Sequence, residues 1–218
     1  MAKLSICMLL MTFLFSTLCI FSSSVTATFP RSPRRSRLQA YIEASCQTTL
    51  YPALCVHSLS TYIGSNTTIQ NPKQLAQVAL KASLNRALYT RAYLKKVANE
   101  LKAIKAKEYQ TVKDCLEQIN DSVDQLSQSI KELRRLDGKE QQGAGGGGDD
   151  LFWHISNVET WVSAALTDAS SCVDEFPGQR MSKLKATVKG KVLNVAQLTS
   201  NALALFRRFA SRYQAKKP

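Results

Sequence analysis

The chain has 218 residues, 44% of them hydrophobic, and a formal charge of +13 from 29 Lys and Arg against 16 Asp and Glu. That length is enough for one domain with a real core. The positive balance suggests an acidic partner, but with no nucleic-acid motif, stacking aromatic set or zinc spacing, nucleic acid is excluded from the reading.

Residues 1–27 have the pattern of a secretory signal: Lys3, a nearly unbroken apolar run from Leu4 to Phe21, then Val25-Thr26-Ala27 as a small-residue cleavage site. The run is about long enough to span a bilayer, but Ser22-Ser23-Ser24 and the small residues after it favour cleavage. Nothing later is apolar enough to span, so the mature chain 28–218 is expected to be exported, soluble and off the membrane. Cys7 and Cys19 leave with the signal, and the four remaining cysteines enter an oxidising compartment. Export turns the acidic partner towards a cell-surface or wall polyanion.

Residues 28–37 make a basic arm, with Arg31, Arg34, Arg35 and Arg37 set among Pro30 and Pro33, expected to be disordered. The domain proper is expected over 38–213, with 214–218 as a tail. It opens with two or three short helical pieces over 38–62 that hold Cys46 and Cys55. Asn66-Thr67-Thr68 in the following connection is a glycosylation sequon. Asn71-Pro72 then starts a long helix over about 73–106, with Leu80, Leu84, Leu88, Leu94, Leu101 and Ile104 as its apolar face.

The second long helix, 108–137, has the cleanest seam: Val112, Leu116, Ile119, Val123, Leu126, Ile130 and Leu133 alternate steps of four and three. Asp137-Gly138 is expected to end it, and the glycine-rich stretch 138–148 to follow as a flexible connector. That stretch lacks the Gly-Lys-Ser/Thr ending and the preceding strand of a phosphate loop. Asp149-Asp150 opens a third helix, its acids at the positive end, with Leu151, Ile155, Val158, Val162, Ala165 and Ala169 inward. After Phe176-Pro177-Gly178 a fourth helix runs over about 181–213 on Leu184, Val188, Val195, Leu198, Ala202, Leu205 and Phe209. Strand signals are weak throughout. The fold class is therefore all-α, an up-down-up-down four-helix bundle with an N-terminal helical extension.

Cys46 and Cys55 are close enough to pin the extension to itself, and antiparallel neighbours would bring Cys115 to Cys172. Four cysteines allow three connectivities, so other pairings stay open. On the loop-entropy model the short bridge is worth roughly 2.5 kcal/mol and the long one about 4. No cysteine or histidine has metal-ligand spacing, and no cofactor is expected; His57 and His154 are read as structural.

Charge divides by helix. Nine Lys and Arg face one acid, Glu100, over 73–107, and ten face none over 180–218; six acids face no base over 149–175. Asp114, Glu117, Asp121 and Asp124 step along one stripe of the second helix, and Glu159, Asp168, Asp174 and Glu175 continue the acidity on the third. A joint acidic surface on a basic protein suits docking to a basic partner. The basic first and fourth helices either hold an acidic polymer or keep the chain soluble. Catalysis finds no support. Paired carboxylates for glycoside cleavage must face each other across a cleft, and His154 has no triad partner nearby in the sequence.

Several motifs carry a resemblance. Thr49-Leu50-Tyr51-Pro52 between Cys46 and Cys55, Asp114-Cys115-Leu116-Glu117 with Asp121-Ser122-Val123-Asp124, Trp161-Val162-Ser163-Ala164-Ala165-Leu166-Thr167 leading to Cys172, and Leu198-Thr199-Ser200-Asn201-Ala202-Leu203-Ala204-Leu205 resemble the plant invertase and pectin methylesterase inhibitors over about 38–210. The resemblance implies a four-helix bundle with a helical hairpin, bridges Cys46–Cys55 and Cys115–Cys172, and a cell-wall protein forming one-to-one complexes with its target. It implies partner contacts at Glu117, Asp121, Asp124, Ser171 (where threonine is common in some members) and Asp174, and less directly at Glu159. The wording around Trp161, the basic balance and the absence of a Pro-Lys-Phe tripeptide favour the pectin methylesterase branch; acid invertase is the alternative target. No catalytic module precedes Pro218, so a free inhibitor is expected rather than an esterase pro-region. The expected setting is the apoplast or cell wall, with a glycan on Asn66 and none on Asn120 within the docking stripe; if the basic helices hold a polymer, it is de-esterified pectin.

Overall fold

The computed structural model describes residues 37–62, 69–139, 148–177 and 182–214. The signal, residues 28–36 of the basic arm, Asn66, the centre of the glycine connector and the last four residues lie outside them, while Arg37, expected in the disordered arm, is the first residue of a helix. Six helices follow in order: α1 Arg37–Cys46, α2 Pro52–Tyr62, α3 Pro72–Ala103, α4 Tyr109–Lys139, α5 Gly148–Asp174 and α6 Lys183–Gln214. No strand occurs among the described residues.

The helix starts follow local chemistry. Asn71 caps α3 by accepting the Gln74 backbone N–H at 2.9 Å, with Pro72 in the first turn where no N–H is needed. Gln74 reaches back to accept from the Gln70 N–H at 2.7 Å. Ser182 caps α6 through the Lys185 N–H at 3.3 Å.

The end of α3 differs from the expectation. The helix stops at Ala103, not near 106, and Lys105 takes the left-handed conformation with φ 52°. Ala106 N–H then bonds back to Leu101 O at 2.9 Å and Lys105 N–H to Lys102 O at 3.2 Å, which closes a Schellman turn. Such turns usually carry glycine at the left-handed position, so a lysine there conceals the stop. Ile104, expected on the apolar face, falls in this turn and is 74% exposed. Helix α4 conversely runs past Asp137-Gly138 to Lys139.

The four long helices pack as a ring. Each lies against the one before and after it in the chain, and α6 returns to α3. Val112, Ile119, Val123, Leu126, Ile130 and Leu133 of α4 are buried, as are Ile155, Val158, Val162, Ala165 and Ala169 of α5 and Val188, Val195, Leu198, Ala202, Leu205 and Phe209 of α6. Leu84, Leu88, Leu116, Leu151 and Leu184 pack at the margin of this core. At about 25 cal/mol per Å² of apolar area, the seam supplies most of the drive to fold.

Disulfides join Cys46 to Cys55 and Cys115 to Cys172, with Cα–Cα distances of 5.7 and 4.7 Å. The first closes the hairpin of α1 and α2. That hairpin sits on α3 and α6, and one buried residue seats it: Asn201 accepts the Tyr51 N–H at 3.1 Å and donates to the Tyr51 carbonyl at 3.0 Å. Two motifs 150 residues apart are thus one contact.

Candidate partner interface

Helices α4 and α5 are tied at three heights. The Cys115–Cys172 bridge fixes one end, and Ser122 Oγ donates to the Ala165 carbonyl at 3.0 Å in the middle. Near the connector, His154 Nδ1 meets Glu132 Oε1 at 2.5 Å. This antiparallel register puts Glu117 level with Ser171 and Asp121 close to Asp168.

Glu132 is the partner that the sequence did not reveal for His154. Both are buried. Asn157 donates to Glu132 Oε1 at 3.2 Å, Arg135 pairs with Oε2 at 2.7 Å, and Asp150 lies 3.3 Å from His154 Nε2. Burial alone would raise the Glu132 carboxyl; hydrogen bonds from His154 and Asn157, with the charges of His154 and Arg135, outweigh it and hold the group below its ordinary value. No nucleophile joins the cluster, which locks the connector ends of α4 and α5 together.

At the bridge end the outer surface is acidic. Glu117, Asp121, Asp124, Ser171, Asp174 and Glu175 are exposed. Two acids have company within α4: Glu117 with Lys113 at 3.5 Å, and Asp114 with the Gln110 amide at 2.6 Å. Asp168 lies half-buried between the helices. Burial, then the Asp121 charge, raise its carboxyl, and a hydrogen bond from Gln125 offsets only part of that. Its Oδ2 and the amide oxygens of Gln118 and Gln125 are buried without a hydrogen-bond partner. Along this groove lies Trp161, one turn from Asn157 on the α4-facing flank and 40% exposed.

Glu159 stands apart from this surface. It is on the other flank of α5, where Arg207 Nε of α6 pairs with it at 2.7 Å. Its charge is met by a neighbouring helix, whereas the pairing of Glu117 with Lys113 lies within α4. Trp161, Gln118 and Gln125 are the groove residues that sequence reasoning did not select. Their spacing of seven (118, 125) or three and four from Asp121 was the available signal. Among the described residues no group of three or more His, Cys, Asp or Glu is arranged to hold a metal ion, and no helix is long and apolar enough to cross a membrane.

The fold is a disulfide-tied all-α ring with a helical hairpin on α3 and α6 and an acidic surface on α4 and α5. The plant invertase/pectin methylesterase inhibitor family model matches residues 40–205, and the chain belongs to that family. It is 43% identical over 200 residues to pectinesterase inhibitor 9 of Arabidopsis thaliana, covering 91% of this chain and 95% of that protein. It is 39% identical to the 21 kDa protein of Daucus carota, covering 93% and 96%, and 40% identical to pectinesterase inhibitor 11 of Arabidopsis thaliana, covering 92% and 95%. A crystal structure of a mutant pectin methylesterase inhibitor from Arabidopsis has the same fold, with a TM-score of 0.54 at 21% identity over 74% of this chain and 92% of that one. The proteins of this family are inhibitors of enzymes.

Proposed function

We propose that the protein is a secreted inhibitor of pectin methylesterase, acting in the apoplast or cell wall as a one-to-one complex. The α4–α5 face docks over the enzyme's pectin cleft and keeps the polymer out, with no chemistry done by the inhibitor. One observation carries this reading: Glu117, Asp121, Asp124, Ser171 and Asp174 are exposed together on two helices that a disulfide, a buried hydrogen bond and a buried ion pair hold in fixed register. A preorganised acidic face costs little ordering entropy on docking. The names of the relatives support the esterase as target. The half-buried carboxyl of Asp168 beside the exposed Asp121 suits a lysine or arginine of the partner. Trp161 is the aromatic anchor beside them, of the type that dominates interface energetics.

The test is inhibition of a plant pectin methylesterase by wild type and by Asp121→Lys/Asp124→Lys, with an acid invertase in parallel. Reversal should weaken esterase inhibition about tenfold or more with helicity intact. Undiminished inhibition by the double variant rejects the acidic face, and inhibition of invertase alone replaces the target while leaving the family unchanged.

A further inference from the structure

The opposite side of the ring, where α3 meets α6, carries a second surface. Ser83 and Thr199 are hydrogen-bonded at 2.6 Å in the buried seam between these helices, and Lys191 Nζ of α6 sits 4.7 Å from the Tyr93 ring centroid of α3. Tyr93 therefore marks the α6-facing flank of α3. Counting along that flank by threes and fours gives Arg86, Tyr89, Tyr93, Lys96 and Glu100 in one line, the last two an exposed pair at 3.9 Å that is weak enough for a polymer carboxylate to displace. Tyr89 is 76% exposed, the most exposed large hydrophobic side chain among the described residues. The hairpin is seated farther along the same pair of helices, at Asn201.

The charge of this surface is one-sided: α3 carries seven Lys and Arg against Glu100, and α6 carries seven and no acid. An aromatic with an open face, flanked by cations on both helices, is arranged for a linear polymer. Such a polymer offers apolar sugar faces to Tyr89 and regularly spaced carboxylates to Arg86, Lys96 and Lys191. We infer that the α3–α6 groove is a binding site for an acidic polysaccharide of the polyuronate class, separate from the docking face. The polymer's length compensates for weak single contacts, since neighbouring uronates engage successive cations. The choice of polyuronate over another polyanion rests on the wall setting of the proposed function. The site itself needs no esterase.

The experiment measures binding of the mature protein to polygalacturonate, with no enzyme present. Arg86→Ser/Lys96→Ser/Lys191→Ser should weaken binding about tenfold, as three exposed ion pairs predict, and Tyr89→Ala alone about fivefold without changing charge. The control Lys107→Ser/Lys131→Ser/Arg134→Ser removes the same charge elsewhere and should lose about twofold or less through screened long-range attraction. All these side chains are exposed, so the variants keep the wild-type helicity. Equal losses in the two triple variants, or no loss in Tyr89→Ala, would reduce the effect to net charge and overturn the site. Tighter binding to a single-stranded oligonucleotide of equal charge would overturn the ligand class. Either failure leaves esterase inhibition as it was.

Discussion

Glu132 and Asp168 show one residue type set to opposite ends by its surroundings. Glu132 is lowered by its partners, so the stability it contributes is complete above its ordinary value of 4.5 and is lost as pH falls through the lower folded value. Glu132→Ala strands a buried imidazole and should cost about 3 kcal/mol or more at neutral pH. Thermal melts should also show the acid-side loss of wild type missing in the variant. Asp168 is raised, so its fold keeps the proton longer and stability declines as pH rises from 3.8 through the raised folded value. Asp168→Asn should therefore raise the melting temperature at pH 7 and leave it little changed near pH 3. If Asp168 receives a cationic group of the esterase, the same variant inhibits less well, a stability gained at the expense of binding.

At the scale of elements, the helix seams were legible because burial repeats every three or four residues whatever the neighbours are. The stop of α3 was not, because Lys105 holds a conformation that glycine usually signals. Lys105→Gly should stabilise the protein by about 1 kcal/mol, read as a rise in melting temperature. The hairpin makes a sharper case. The Thr49–Pro52 and Leu198–Leu205 motifs were visible as words, but their meeting at Asn201 was not. Asn201→Ala leaves the part-buried Tyr51 N–H unpaired, while the Tyr51 carbonyl keeps the Cys55 N–H at 2.9 Å, and should cost about 1–2 kcal/mol, with hydrogen exchange rising first in α1 and α2. The sequon at Asn120 reads differently in the fold as well. Ser122 is fully buried against Ala165, so a folded chain does not present the motif, and intact-mass measurement should find no glycan there.

Over the whole molecule, charge is sorted by helix pair: acidic outward surface on α4 and α5, basic on α3 and α6. The ring topology sets these pairs on opposite sides, so the two proposed contacts, with a basic enzyme and with an acidic polymer, would not compete. Raising ionic strength from about 0.1 M to about 1 M shortens the screening length from about 10 Å to about 3 Å. Esterase inhibition should weaken over that range, and less steeply for Asp121→Lys/Asp124→Lys, as an inhibition constant against salt would show. By itself the amino-acid sequence determined the helical periods, the cysteines available for bridges, the family motifs and the sign of charge on each helix, since all of these depend on residues near one another along the chain. Only the tertiary structure decided that Glu132 would answer His154, that Glu159 would be neutralised by Arg207, that Trp161 would border the acidic groove and that Tyr93 would meet Lys191. Those outcomes depend on the register between helices, which arises from side-chain packing across the ring and not from any local pattern.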